Sequence, residues 1–261
     1  MGRPRKRHVQ VELPRLDKNG QHRGGRRPGA GRKPNGKRAG SPHKKRPVLK
    51  ARFPVHVVLR VADDVGSLRK RDMYAAIRDA TIAVALRELN AKEDGAFRIV
   101  HVSIQRTHVH LLVEADHQAA LSNGMQRFQI SAAKHLNRAA GGRTTRRRGA
   151  VFPDRFHEEI ITTPRQARHA LAYVLNNWRK HREDRSGLAA GWNVDPFSTG
   201  ALFTGWKELE SADVMWRWRE TYQPLVAYFP KTWLLREGWR RHALIRFDEV
   251  PSTAILGRTP G

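Results

Sequence analysis

The stretch Phe97-Arg98-Ile99-Val100-His101-Val102-Ser103-Ile104-Gln105-Arg106-Thr107-His108-Val109-His110-Leu111-Leu112-Val113-Glu114-Ala115 reads as a β-hairpin. Phe97 to Ile104 is rich in β-branched residues, Gln105-Arg106-Thr107 makes a short turn, and His108 to Ala115 returns as a second strand. Side chains alternate faces along a strand. Val109, Leu111 and Val113 therefore point toward covering helices, and His108 and His110 point together the other way. Two imidazoles at i and i+2 on a strand can share one metal ion. For an arbitrary His-x-His the commoner use is that one caps the hairpin and the other sits at the surface.

The pattern extends outward on both sides. Pro54 to Val61 reads as a first strand. Ser67 to Asn90 reads as a helix with Met73, Ile77, Ala80 and Val84 on one stripe, broken by Asp94-Gly95. After the hairpin, Gln118 to Ala139 carries Leu121, Met125, Phe128, Ala132 and Leu136 at helical spacing. Gly141 to Gly149 is a basic loop, and Val151 to Ile161 is extended as a fourth strand. Thr163 caps a further helix, with Pro164 at its first position, running to about His181. The order β-α-β-β-α-β is the ferredoxin-like, RRM-like α+β pattern. It predicts an antiparallel sheet with two helices on one face, the other face left open for a site, and an extra helix.

Composition narrows the partner. The chain of 261 residues has a formal net charge of +26 and no cysteine. So strong a basic excess points to a polyanion, since cations near phosphates release condensed counterions. Without cysteine there are no disulfides, thiol nucleophiles or cysteine zinc sites, so a transition-metal site must use His, Asp, Glu, Asn or Gln. No stretch of about 18 apolar residues suggests a membrane span, and no leader-like apolar run follows Met1 to Arg7.

Three regions follow from these shifts. Residues 1–50 hold seventeen Lys and Arg against two acids, +15 of the total +26, and read as a disordered DNA-binding arm. Arg26, Arg27, Arg32 and Lys33 sit among Gly and Pro. They can lie in an A·T-rich minor groove or grip phosphates without sequence preference. Residues 51–185 read as a compact domain, which the resemblance given below makes the catalytic one. Residues 186–261 read as a Trp-rich extension, either a small accessory domain or a wrap over the core. Five of its tryptophans lie beyond residue 200, and Trp233 to Trp239 looks like a short helix ended by Gly238. These indoles can stack unpaired bases or serve folding.

The last helix reads Ala170-Leu171-Ala172-Tyr173-Val174-Leu175-Asn176-Asn177-Trp178-Arg179-Lys180. Tyr173 and Asn177 are i and i+4 and share a face, with His169 and Lys180 on the same side. Leu171, Val174, Leu175 and Trp178 pack away from it. On its own this is also how a tyrosine sits at the rim of an apolar stripe.

Over roughly residues 50–183 the chain resembles the single-tyrosine HUH transposases, and most closely the REP-associated tyrosine transposases of the IS200-like superfamily. The resemblance rests on the element order, His108-Val109-His110-Leu111-Leu112, Phe152-Pro153-Asp154-Arg155-Phe156-His157, and the Ala172-Tyr173-Val174-Leu175-Asn176-Asn177 helix. It implies a bacterial, cytoplasmic enzyme working at the nucleoid, an endonuclease and strand transferase on single-stranded or hairpin DNA, acting as a monomer or homodimer. Tyr173 matches the nucleophile that forms a 5′-phosphotyrosine. His108, His110 and Asn177 match the ligands of a divalent metal, Mg²⁺ or Mn²⁺, with His169 and Lys180 as candidates to help ionise the phenol. Arg143, Arg146, Arg147, Arg148 and Arg155 are placed to grip DNA backbone, or form an ordinary solvated loop. Two other classes share the pattern. One is a non-catalytic or domesticated nucleic-acid binder, although the aromatic strand of RRM sheets is missing. The other is a metal-dependent nuclease that uses water and does not need Tyr173.

Overall fold

A computed structural model describes residues 46–90, 96–142, 145–185, 191–211 and 221–251. The chain divides into two units, Met1–Gly40 and Ser41–Gly261, and every described residue belongs to the second. Arg26, Arg27, Arg32 and Lys33 of the basic arm, and Arg143 of the basic loop, lie outside the described residues.

The elements are β1 (Val55–Arg60), α1 (Arg71–Leu89), β2 (Phe97–Ile104), β3 (His108–Ala115), α2 (Gln118–Ala140), β4 (His157–Ile160), α3 (Pro164–Lys180) and the short α4 (Trp233–Arg236). The strands form one antiparallel sheet in the order β2-β3-β1-β4. The hairpin has the bounds that its alternation gives. The fourth strand is shorter than the expected Val151 to Ile161, and only His157–Ile160 pairs with β1. Pro153, which has no N–H to give to a ladder, lies in the irregular run before it. Gly238 does not end the helical trace after Trp233: α4 stops at Arg236 and Gly238 opens a 3-10 turn to His242. A Cβ at Gly238 would stand 2.8 Å from the Trp233 ring, so the glycine is used for close packing.

One sheet face packs on α1 and α2. Val55, Val57 and Leu59 of β1, Val109, Leu111 and Val113 of β3, and Phe97, Ile99, Val102 and Ile104 of β2 meet Ile77, Val84, Leu121, Met125 and Phe128 there. The inward residues of β2 step from 99 to 102. A bulge between Ile99 and His101 absorbs the extra residue, and without it Val102 and Ile104 would flip to the wrong face.

The second face is not left open along its length. Val100 and Leu112 pack there against Ala167, Leu171, Val174 and Leu175 of α3, and against Val194, Trp206, Leu234, Leu235, Trp239, Ile245 and Phe247. The described residues after 185 thus wrap over α3 and complete a second core. Trp206 and Trp239, weighed above as base-stacking residues, are 1% exposed and serve this core; Trp216 and Trp218 lie outside the described residues. Polar ties fix the wrap. Arg168 pairs with Glu249 and donates to the Leu244 carbonyl, Asn176 Nδ2 donates to the Arg246 carbonyl, and Arg179 Nε to that of Phe247. Fully buried Glu114 on β3 pairs with Arg98 and accepts from the backbone N–H of Lys231 and Thr232.

Candidate active site

Antiparallel register decides which side chains meet on the second face. Arg60 stands opposite His108 and Val58 opposite His110, so His56, Val58 and Arg60 share the face of His108 and His110. The His108 and His110 rings lie 4.7 Å apart between centroids, edge to face. His56 stacks on His110 at 5.2 Å, with its Nε2 3.1 Å from His110 Nδ1. Sequence reasoning missed His56. It stood in plain view inside the first strand, but its meeting with His110 depends on inter-strand register, which no single segment encodes.

α3 crosses this cluster with one face. The Tyr173 ring meets His110 edge-on at 5.3 Å and His56 at 5.9 Å, and about two turns further on His181 meets His108 at 5.8 Å. Asn177 falls midway between Tyr173 and His181 at i, i+4, i+8 spacing, on the same side of the helix. The helix is fixed at its start by a capping box between Thr163 and Gln166, with Pro164 behind the cap. At its far end Glu183 pairs with Arg69 and with Arg106 of the β2–β3 turn, two residues before His108. That pairing ties the end of the tyrosine helix to the histidine strand.

Three polar atoms in this cluster are buried without a hydrogen-bond partner: Nε2 of His110 and both Oδ1 and Nδ2 of Asn177. Buried polar atoms are nearly always paired, and such orphans mark places where something else binds. Burial holds the imidazoles neutral. It lowers His108 to about 4 and His56 to about 3, and takes His110 well below 6.5; neighbouring cationic or imidazole groups add to each shift. Neutral imidazoles ligate a metal without first giving up a proton. Among the described residues no three His, Asp or Glu side chains group as a metal site. The donor set present is two imidazoles and an amide oxygen, and the orphaned atoms fit a small divalent cation with open positions for water and phosphate.

Lys180 Nζ lies 5.1 Å from the Tyr173 ring centroid. Burial lowers the Lys180 ammonium and raises the Tyr173 phenol above its ordinary 10. The phenol is therefore protonated at neutral pH and must lose its proton during any attack. His169 is elsewhere: its charged neighbours are Arg168, Arg165, Glu249 and His242, none of them in the imidazole cluster. Arg146, Arg148 and Arg155 are exposed. Arg147 is turned inward, donating to Asn137 Oδ1, Asp64 and the Ala150 carbonyl, so this arginine braces the loop after α2 and is not free to hold DNA. The loop is pinned beside the end of β1 by a bond from Ala62 N–H to the Val151 carbonyl. This is the end of the sheet that carries Arg60 and His108.

The buried imidazoles carry a pH consequence. In the unfolded chain histidines titrate near 6.5, but native His56 and His101 stay neutral down to about 3 and about 4. Between those limits the unfolded state binds more protons, so stability falls as pH falls, by up to about 1.4 kcal/mol per pH unit for each such imidazole. With metal chelated, the urea midpoint should drop clearly from pH 7 to pH 5. A flat midpoint would mean that these rings take up protons in the native state.

Residues 55–177 match the family described as "Transposase IS200 like". This match to a transposase domain runs from β1 into the last turn of α3. Among solved structures it is similar to a REP-associated tyrosine transposase bound to a REP hairpin, at 18% identity and a TM-score of 0.43, covering 72% of this chain and 96% of that one. No curated protein matches. Among the described residues no helix is long and apolar enough to cross a membrane.

Proposed function

We propose that this transposase domain cleaves and rejoins single-stranded DNA through a covalent 5′-phosphotyrosine at Tyr173, with His108, His110 and Asn177 holding Mg²⁺ or Mn²⁺. The observation that carries the reading is the meeting of a half-buried phenol with the imidazoles of His110 and His56, where the His110 Nε2 is unpartnered and an unpartnered amide follows one turn along the same helix. The bound cation would supply Lewis-acid polarisation of the scissile phosphate. The chain's own residues do the rest. Tyr173 Oη attacks phosphorus and gives up its proton, the bond to the 3′ oxygen breaks, and that oxygen leaves as a hydroxyl after taking a proton. The phosphoester energy is kept in the Tyr173 linkage, so an incoming 3′-OH can reverse the step and seal a new junction. The Lys180 ammonium beside the ring favours the developing negative charge on the phenol oxygen. Because α3 is bound to its own sheet and wrap, the phenol is held in place before DNA arrives.

The partner in this reading is single-stranded or hairpin DNA. Arg60, Arg146, Arg148 and Arg155 lie on the strand ends and loop at the His108 end of the sheet, where a strand entering the site would place its phosphates. The basic arm with Arg26, Arg27, Arg32 and Lys33 adds non-specific grip, and residues 51–185 act as the catalytic domain with 186–261 as its buttress. The test is to incubate the protein with single-stranded DNA from the flanks of its own gene, with Mn²⁺ or with chelator. The expected result is a covalent protein–DNA adduct on a denaturing gel that requires metal and disappears in His108→Ala. Adduct formation that survives both chelation and His108→Ala would remove the metal role.

A further inference from the structure

We propose that His56 is a positioning residue that sets the tautomer of His110, taking a hydrogen bond from His110 Nδ1–H so that Nε2 presents a bare lone pair to the site. The inference rests on the metal reading above but concerns a residue to which that reading gives no role.

The geometry leaves two arrangements. His56 and His110 are each 3% exposed, and their facing atoms, Nε2 and Nδ1, are 3.1 Å apart. Two facing ring nitrogens at this distance hold a single hydrogen between them, so one ring donates and the other accepts. If His56 donates, His110 must carry its own proton on Nε2. That N–H would then be a buried donor with no acceptor, since Nε2 has no partner. As among backbone groups, an orphaned buried donor is rarer than an orphaned acceptor. If His110 donates, Nε2 is an acceptor with a free lone pair, on a ring that the Tyr173 phenol meets at 5.3 Å. The second arrangement is the one that can ligate a cation without a change of protonation. A hydrogen bond on the far nitrogen also fixes the ring plane and raises the basicity of the ligating nitrogen.

The fold supports the pairing rigidly. His56 and His110 stand on neighbouring strands that are hydrogen-bonded over six residue pairs, so their separation is set by backbone ladders and not by loops. The Tyr173 ring closes over both imidazoles, at 5.9 Å from His56 and 5.3 Å from His110. His56 reaches the reaction only through His110.

Two readouts test this. In metal-free protein labelled with ¹⁵N-histidine, two-bond proton–nitrogen correlations should show His110 protonated at Nδ1. His56→Gln, whose amide oxygen can still accept, should keep that tautomer, and His56→Leu should lose it. Mn²⁺ affinity, read by titration followed by electron paramagnetic resonance, should fall about 10–100-fold in His56→Leu, the usual cost of losing such a partner. It should stay close to the parent in His56→Gln. Thermal melts confirm that each variant is folded, and the parent's own tautomer needs no variant. His110 protonated at Nε2 in the parent, or Gln and Leu variants that bind Mn²⁺ alike, would overturn the proposal. Mn²⁺ binding indifferent to His108→Ala would overturn the metal reading itself, and this inference with it. Parent binding that depends on His108 but not on residue 56 would overturn only the role of His56.

Discussion

Tyr173→Phe is expected to leave DNA binding and folding unchanged while reducing cleavage by roughly 10⁴-fold or more, with no covalent adduct. The substitution deletes one hydroxyl and keeps the ring that packs on His110 and His56. Valley-floor contacts of α3 are untouched, because Leu171, Val174, Leu175 and Trp178, which anchor the helix, lie on its other faces at 0% exposure. What disappears is the atom that would form the bond to phosphorus. The other hydroxyl at the cluster, that of Thr107, is taken up by His108 Nδ1 at 3.2 Å, and the remaining neighbours are imidazoles, an amide and an ammonium. The measurement is a single-turnover time course on end-labelled single-stranded DNA, run beside a melt of the variant. A Phe variant that still cuts, without an adduct, would identify an activated water as the nucleophile and leave the phenol a packing role.

How much of this was legible beforehand follows from the range of each interaction. The β2–β3 hairpin was readable because alternation and the turn are local, and they place His108 and His110 on one face without help from elsewhere. The helical face joining Tyr173 to Asn177 was readable for the same reason. The bulge at Val100 was not, because it is detected only when the inward steps of β2 are matched to β3. Arg147 looked like its neighbours Arg146 and Arg148, and only the fold shows its guanidinium spent on Asn137 and Asp64. His169 shares a side of α3 with Tyr173 by spacing, but the wrap of residues 243–249 gives it different company. The wrap itself was beyond periodicity. Its segments are short 3-10 turns and extended runs whose apolar residues acquire a face only once α3 supplies one.

That dependence runs in both directions, and it predicts that a chain ending at Arg185 does not fold cooperatively. The family match stops at residue 177, and the first six elements form a recognisable pattern, so such a truncation looks like a self-sufficient domain. The energetics say otherwise. Removing residues 186–261 takes Trp206, Trp239, Leu234, Leu235, Ile245 and Phe247 off α3 and the second sheet face. Burial of each such side chain is worth about 1.5–3 kcal/mol, against a net stability of about 5–15 kcal/mol for a whole domain. The polar losses compound this. Glu114 would keep Arg98 but lose the N–H groups of Lys231 and Thr232, and Arg69 would lose the bidentate carboxylate of Asp195, 0% exposed in the intact chain. Breaking a buried pair on one side typically costs about 3–5 kcal/mol. The expected result for residues 46–185 is a broad, non-cooperative urea transition with dye-binding apolar surface, where residues 46–251 unfold in one step. A sharp transition for the shorter chain, with α3 still protected from hydrogen exchange, would show that the tyrosine helix is seated by the sheet alone, and that the C-terminal wrap is an ornament on a finished site.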